Sequence, residues 1–402
     1  MSEMSNKMTS SFLTFLQNNT TNHLFCIFAR AKLISHGFQE LNENQLTSCK
    51  IPQKGFIIRD NKSIIGFKIN GYDHANIVGT LVDAPSLKAK GASSEFKDGD
   101  FHMVRLSPNN PSLIRLTSYI DRELKVSGIV LTKDKKIYEI CSKNPVGIIP
   151  NISSEIANTG CYDDSEIVAL IGKKGLRELI ADHIKCSPDD IIDYDLEFGD
   201  CEKPVMVNDD VIYASKLTYY GPAYAALMGF LKETTNTKDN VQFFVGFGDI
   251  TNTLRCSAES EFFDNIFETI FRGKDINEIK SKSLFAYVLG VEGQHPRYIN
   301  LRDCLSAKFN KGVVLYQSNR YQYQTDVIGE ALLNNIKKIQ KQTHKNTQIL
   351  SQELSQSISL NSGIRTVDIG IPVLSSGSSR ETMFYKDVLS CLKFVHLLLT
   401  DA

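Results

Sequence analysis

The regular alternation of apolar runs and helical stretches in the second half of this chain does most to limit what it can fold into. Apolar runs at 241–247, 284–289, 312–316 and 365–369 are separated by segments with apolar residues at helical spacing, 221–232, 326–340 and 385–399. Short strands interleaved with helices are the pattern of a layered α/β domain, with helices packed on a buried sheet. The first 87 residues fit the same plan. Two helices are predicted within 11–16 and 23–34, with Gly37 as a stop, followed by strands at 63–69 and 75–82. The turn-like Asn70-Gly71-Tyr72-Asp73 between these strands predicts that they lie side by side.

From about Lys88 to Asn208 the texture changes to short strands (125–131 and 136–140), many turn residues and one polar helix at 176–184. The sequence therefore divides into 1–87, an inserted β-rich module at 88–207, and 208–402. A serine-, glutamine- and asparagine-rich stretch at 351–362 reads as a solvated loop.

Composition removes several classes of function. Forty-five basic residues against 46 acidic ones leave a net charge of −1, so no global field favours nucleic acid or an anionic membrane. No run approaches the roughly 20 apolar residues of a membrane span, and the opening residues lack the pattern of a secretory signal. Nine cysteines without a CxxC pair suit a reducing compartment, so the expected location is cytoplasmic. No HExxH and no pair of histidines at ligand spacing on one helix occur among the eight histidines.

A series of landmarks runs along almost the whole chain in a fixed order. They are GTLVDAP (79–85) followed by Leu87-Lys88, DREL (121–124) with Gly128, IPN (149–151), and DLEF (195–198) followed by Asp200 and Pro204. Then come ASKLTY (214–219), HPRY (295–298), Lys311-Gly312, Thr325-Asp326, and DIGIPVL (368–374) followed by Arg380-Glu381. In order and spacing this series resembles the aspartyl aminopeptidase and vacuolar aminopeptidase I family of dizinc exopeptidases. The resemblance implies a dizinc-exopeptidase-like α/β domain with a mixed central sheet, interrupted by an inserted β-rich dimerisation domain. Relatives assemble such dimers into tetrahedral dodecamers.

The same resemblance marks where zinc ligands belong, and none of those positions here carries one. A site of this kind needs His, Asp and Glu side chains, a bridging carboxylate and a general base. The ligand His of GAHTDSP corresponds to Leu81, while the supporting Asp persists as Asp83. The bridging Asp corresponds to Thr218, the paired glutamates to Ile250 and Thr251, a further ligand Asp to Leu289, and the ligand His of MHSIRE to Gly377. Of the substrate-binding positions, the family's His corresponds to Glu155 and its Lys to Tyr316. Near these positions Asp249 stands close to the missing pair as a lone carboxylate that the site could have retained, while Glu259, Glu292 and His295 are each more simply read as a capping or solvent-facing group.

The expectation is therefore a catalytically inactive homologue without a metal cofactor, where the family would use two zinc ions. Its role would be structural or regulatory, in a homo-oligomer formed through 88–207, alone or with an active paralogue. The alternative is a zinc-dependent aminopeptidase that releases N-terminal Asp or Glu, with its ligands displaced from these positions.

Overall fold

The structure is a computed structural model and describes residues 3–46, 50–89, 91, 94–153, 167–233, 239–251, 253–298, 307–318, 341–346 and 358–401. The helix Asn22–Ser35 forms where Phe25, Cys26, Ala29 and Leu33 recur on one face, and Thr21 Oγ1 accepts the Leu24 N–H at 3.3 Å as its cap. The preceding helix, Glu3–Asn18, adds Phe12 and Phe15 to the same core; their rings lie 4.8 and 5.0 Å from that of Tyr224. Both helices lie where apolar spacing predicts them.

The main layer is a twelve-stranded mixed sheet. At its centre four strands run parallel in the order Asn240–Phe247, His74–Leu81, Leu284–Glu292, Arg365–Leu374. These strands are buried along nearly their whole length, as parallel strands covered on both faces must be. Leu217–Leu231 and Tyr385–Asp401 join the two N-terminal helices in the core on one face. Phe262–Ile270 and Ile276–Lys282 pack in a second core on the other.

One expectation is overturned. The strands Ser63–Ile69 and His74–Leu81 are not neighbours, because Asn240–Phe247 lies between them, antiparallel to the first and parallel to the second. The turn at 70–73 wraps around the start of that intervening strand. The N–H groups of Asn70 and Gly71 donate to the Asn240 carbonyl at 2.9 and 3.2 Å. A β-carbon on Gly71 would fall inside the Asp239 side chain, so only glycine lets the turn close over this strand. The solvated-loop reading of 351–362 is also corrected at its end: residues 358–362 form a helical turn with Ile358 and Ser362 buried. Residues 351–357 and 326–340 lie outside the described residues.

A separate β domain closes on itself. Gly147–Ile148, Ile167–Gly172, Phe101–Pro108, Leu87–Ala89, Ile191–Asp200 and Glu123–Thr132 pair antiparallel in that order, and the last returns to the first. Glu95–Asp98 and Ile137–Cys141 flank this six-stranded ring. The helix Leu176–Ile184 buries Leu176, Ile180 and Ala181 in the ring's core. Gly128, at φ 145°, permits the close crossing, since a β-carbon there would sit 2.0 Å from the Asp195 carbonyl. The hairpin Val205–Val207 with Val211–Ala214 belongs to the large sheet. Among the described residues no helix is long and apolar enough to cross a membrane.

Candidate functional site

In open α/β sheets the crevice beyond the carboxyl ends of parallel strands is where ligands bind. Here Leu81 ends one central strand, Leu289 lies beside it on the next, and Phe247 pairs with Leu81 on its other side. The loop after Phe247 brings Ile250 over this edge, its N–H donating to Asp83 Oδ2 at 3.1 Å. Leu81, Ile250 and Leu289 are all buried and share one apolar cluster with Phe247 and Tyr287. Thr251 is exposed.

Thr218 opens the helix Leu217–Leu231 and lies against Gly290; a β-carbon on that glycine would meet the Thr218 backbone at 2.5 Å. Its N–H and Oγ1–H both donate to Glu381 Oε2, at 2.6 and 2.9 Å. The other oxygen of Glu381 accepts the Gly377 N–H at 2.7 Å. One carboxylate thus ties together two of the positions marked by the sequence. Burial pushes Glu381 up to about 7 despite these hydrogen bonds, and the charge of Glu292, at the end of its strand, pushes the same way.

Gly377 has φ +79°, and a β-carbon there would lie 1.9 Å from the Leu113 carbonyl oxygen. The loop around it is pinned to the β domain by Arg115 N–H to the Gly377 carbonyl at 2.9 Å and by Ser379 N–H to Ser118 Oγ at 2.8 Å. No side chain fits at this position without moving that contact.

Asp249 and His295 make hydrogen bonds within their own turns. Both oxygens of Asp249 accept hydrogen bonds within its own turn, from Thr251 N–H and Oγ1 and from the N–H groups of Thr253 and Leu254. His295 Nδ1 accepts from the N–H groups of Arg297 and Tyr298. Tyr316 lies in the strand Val313–Ser318, in register with His344; Glu155 lies outside the described residues. Among the described residues no group of three or more His, Cys, Asp or Glu is placed to hold a metal ion.

Asp83 is 5% exposed, and its Oδ1 has no hydrogen-bond partner. Burial first, and then the charge of Glu197, raises its carboxyl to about 6 against the pull of Lys88, the Ile250 N–H and Lys216. The folded protein therefore holds this proton at pH values where the unfolded chain releases it. Between about pH 4 and 6 stability falls as pH rises on this account. Asp83→Asn is expected to remove that part of the slope, so its advantage over the wild type in urea denaturation grows from pH 4 to pH 7. A constant difference across that range would contradict the assignment.

Sequence reasoning missed a charged cluster between the β domain and the sheet. Asp195 takes His23, Lys62 and Lys88 at 3.4, 3.1 and 3.0 Å. Burial alone would raise its carboxyl, but His23, Lys88 and Lys62 together hold it well below the usual range. Glu197 pairs with Lys216 at 2.8 Å, and Lys216 also donates to the Thr20 carbonyl at 2.7 Å. A signal was present, since Asp195 and Glu197 alternate on one strand with buried Leu196 and Phe198. That spacing places both charges on one face.

A family model described as Aminopeptidase I zinc metalloprotease (M18) matches residues 15–397. The chain is 25% identical over 409 residues to a probable M18 family aminopeptidase 2 of Borreliella burgdorferi, covering 96% of each chain. It is 24% identical over 436 residues to aspartyl aminopeptidase 1 of Schizosaccharomyces pombe, covering 94% of this chain and 91% of that protein. The solved structure of the S. cerevisiae mApe1 dodecamer superposes with a TM-score of 0.82 at 20% identity, covering 98% of this chain and 95% of that one.

Proposed function

This chain belongs to the M18 aminopeptidase I family of zinc metalloproteases, and from that premise we propose that it is a non-hydrolytic member with a structural or regulatory role in an oligomer. The observation that carries the reading is the apolar closure of the strand edge, where Leu81, Ile250 and Leu289 pack in one cluster. The residues at the family's ligand positions do not fit two zinc ions. Leu81, Ile250 and Leu289 offer no donor atom, Thr218 Oγ1 is committed to Glu381, Thr251 Oγ1 to Asp249, and Gly377 has neither a side chain nor room for one. Asp83 fits the same account. In the family that aspartate orients a ligand histidine, and a leucine at 81 leaves its Oδ1 with nothing to bond.

The architecture suits assembly. Residues 88–207, which hold nearly all of the closed β domain although Leu87 joins its ring and Val205–Val207 the large sheet, are read as the part that contacts other copies, alone or with an active paralogue. The mApe1 relative is itself described as a dodecamer. Mass spectrometry of the purified native assembly separates a homo-oligomer from a mixed one.

A second reading, a zinc-dependent aminopeptidase releasing N-terminal Asp or Glu, has one observation in its favour. Asp83 and Glu381 remain as buried carboxylates beside the strand edge, with Glu292 acting on Glu381. The two readings differ in turnover. Purified protein is expected to release p-nitroaniline from aspartyl and glutamyl substrates no faster than a protein-free blank, with or without added zinc. Zinc-dependent turnover that saturates with substrate would overturn the proposal.

A further inference from the structure

The two N-terminal helices enclose an open groove of about 570 Å3, lined by none of the residues of the strand edge or of the β domain's ring. Its walls differ in chemistry. On Glu3–Asn18 the exposed Ser10, Thr14 and Asn18 recur every fourth residue as a row of small polar side chains. On Asn22–Ser35 the facing wall is Leu24, Ile27 and Phe28, all half-buried, and exposed Ala31 and Ile34 continue the same apolar face beyond the groove. Leu24, Ile27, Phe28 and Ala31 follow the i, i+3, i+4, i+7 spacing by which one helix face meets another.

Among the described residues Lys32 is the one charged residue lining this groove. Its ammonium lies 5.5 Å from the centre of the Phe28 ring and has no carboxylate partner among the described residues. The nearby Glu40 is already paired with Arg30, at 2.7 Å.

We propose that this groove docks an amphipathic helix of another protein, with its apolar face on Leu24, Ile27 and Phe28 and an acidic residue on Lys32. A groove between two helices accepts a third through ridge-into-groove packing, and the small Ser10 and Thr14 side chains let its axis approach to about 8 Å. The Lys32 ammonium, without a carboxylate partner among the described residues, selects for an acidic partner and against a basic one. This site is independent of the metal question, because none of its residues lies at a family ligand position.

The test uses the full chain and fluorescein-labelled synthetic helices with leucines at i, i+3, i+4 and i+7 and glutamates at one end or the other. One glutamate version is expected to bind saturably, with fluorescence anisotropy giving a Kd on the order of 10 µM. Ile27→Glu, a half-buried surface change whose fold is checked by its melting curve, weakens binding at least about tenfold. Lys32→Glu weakens the same peptide, and a lysine-ended peptide restores binding to that variant. Absence of binding to the wild type, or equal binding of the glutamate peptide by wild type and Lys32→Glu, would overturn the proposal. So would concentration-dependent self-association abolished by Ile27→Glu, which would make the occupant a second copy.

Discussion

Replacing Gly377 by alanine is expected to destabilise the protein by about 3 kcal/mol, seen as a lower urea midpoint at unchanged slope. Two costs combine in that figure. The backbone is held at φ +79°, where a β-carbon is strained, and the new methyl would fall 1.9 Å from the Leu113 carbonyl oxygen. Relief requires the loop to lift from the β domain, which breaks the Arg115 to Gly377 hydrogen bond and disturbs the bond from Gly377 to Glu381. Gly377→His, the substitution that would return the family's ligand, is expected to cost more than alanine. A change below about 0.5 kcal/mol for Gly377→Ala would mean that the loop accommodates a side chain freely, and the argument from this glycine would fail.

Lys216→Met is expected to cost a similar or larger amount, about 3–5 kcal/mol. Lys216 and Glu197 are 6% and 4% exposed, and their 2.8 Å bond joins the base of the helix Leu217–Leu231 to the β domain. Removing the ammonium leaves a buried carboxylate that, among the described residues, has only Lys88, at 3.7 Å, to answer it. It also leaves the Thr20 carbonyl without its donor. Removing both charges, as in Lys216→Met with Glu197→Leu, is expected to recover most of the loss, because the desolvated carboxylate is then gone. A double variant as unstable as the sum of the single ones would show that the two side chains act separately.

Local periodicity made most of the elements legible. The spacing of Phe25, Ala29 and Leu33 gave the second helix, and the runs at 241–247, 284–289 and 365–369 gave three central strands. Strand order was not legible. The Asn-Gly turn after Ile69 looks like a hairpin, yet its hydrogen bonds go to Asn240, some 170 residues away in sequence. Nothing local reports such a partner.

The same division applies to the site. The family resemblance marked Leu81, Ile250, Thr218, Leu289 and Gly377; Leu81, Ile250 and Leu289 fall in one buried cluster, and Glu381 hydrogen-bonds to both Thr218 and Gly377. The reason Gly377 is a glycine lies in the carbonyl of Leu113, which no pattern near residue 377 could reveal. The Asp195 and Glu197 cluster was hidden for a different reason. Burial of a charge depends on which surfaces meet, and here one strand of the β domain meets residues from four other segments.

Zinc stoichiometry tests the proposed loss of metal chemistry most directly. Protein dialysed against zinc at neutral pH, freed of unbound metal and measured by inductively coupled plasma mass spectrometry, is predicted to retain far less than one zinc ion per chain. Retention of about two per chain, with Asp83→Asn or Glu381→Gln reducing it, would contradict the account and identify the carboxylates that had taken over as ligands.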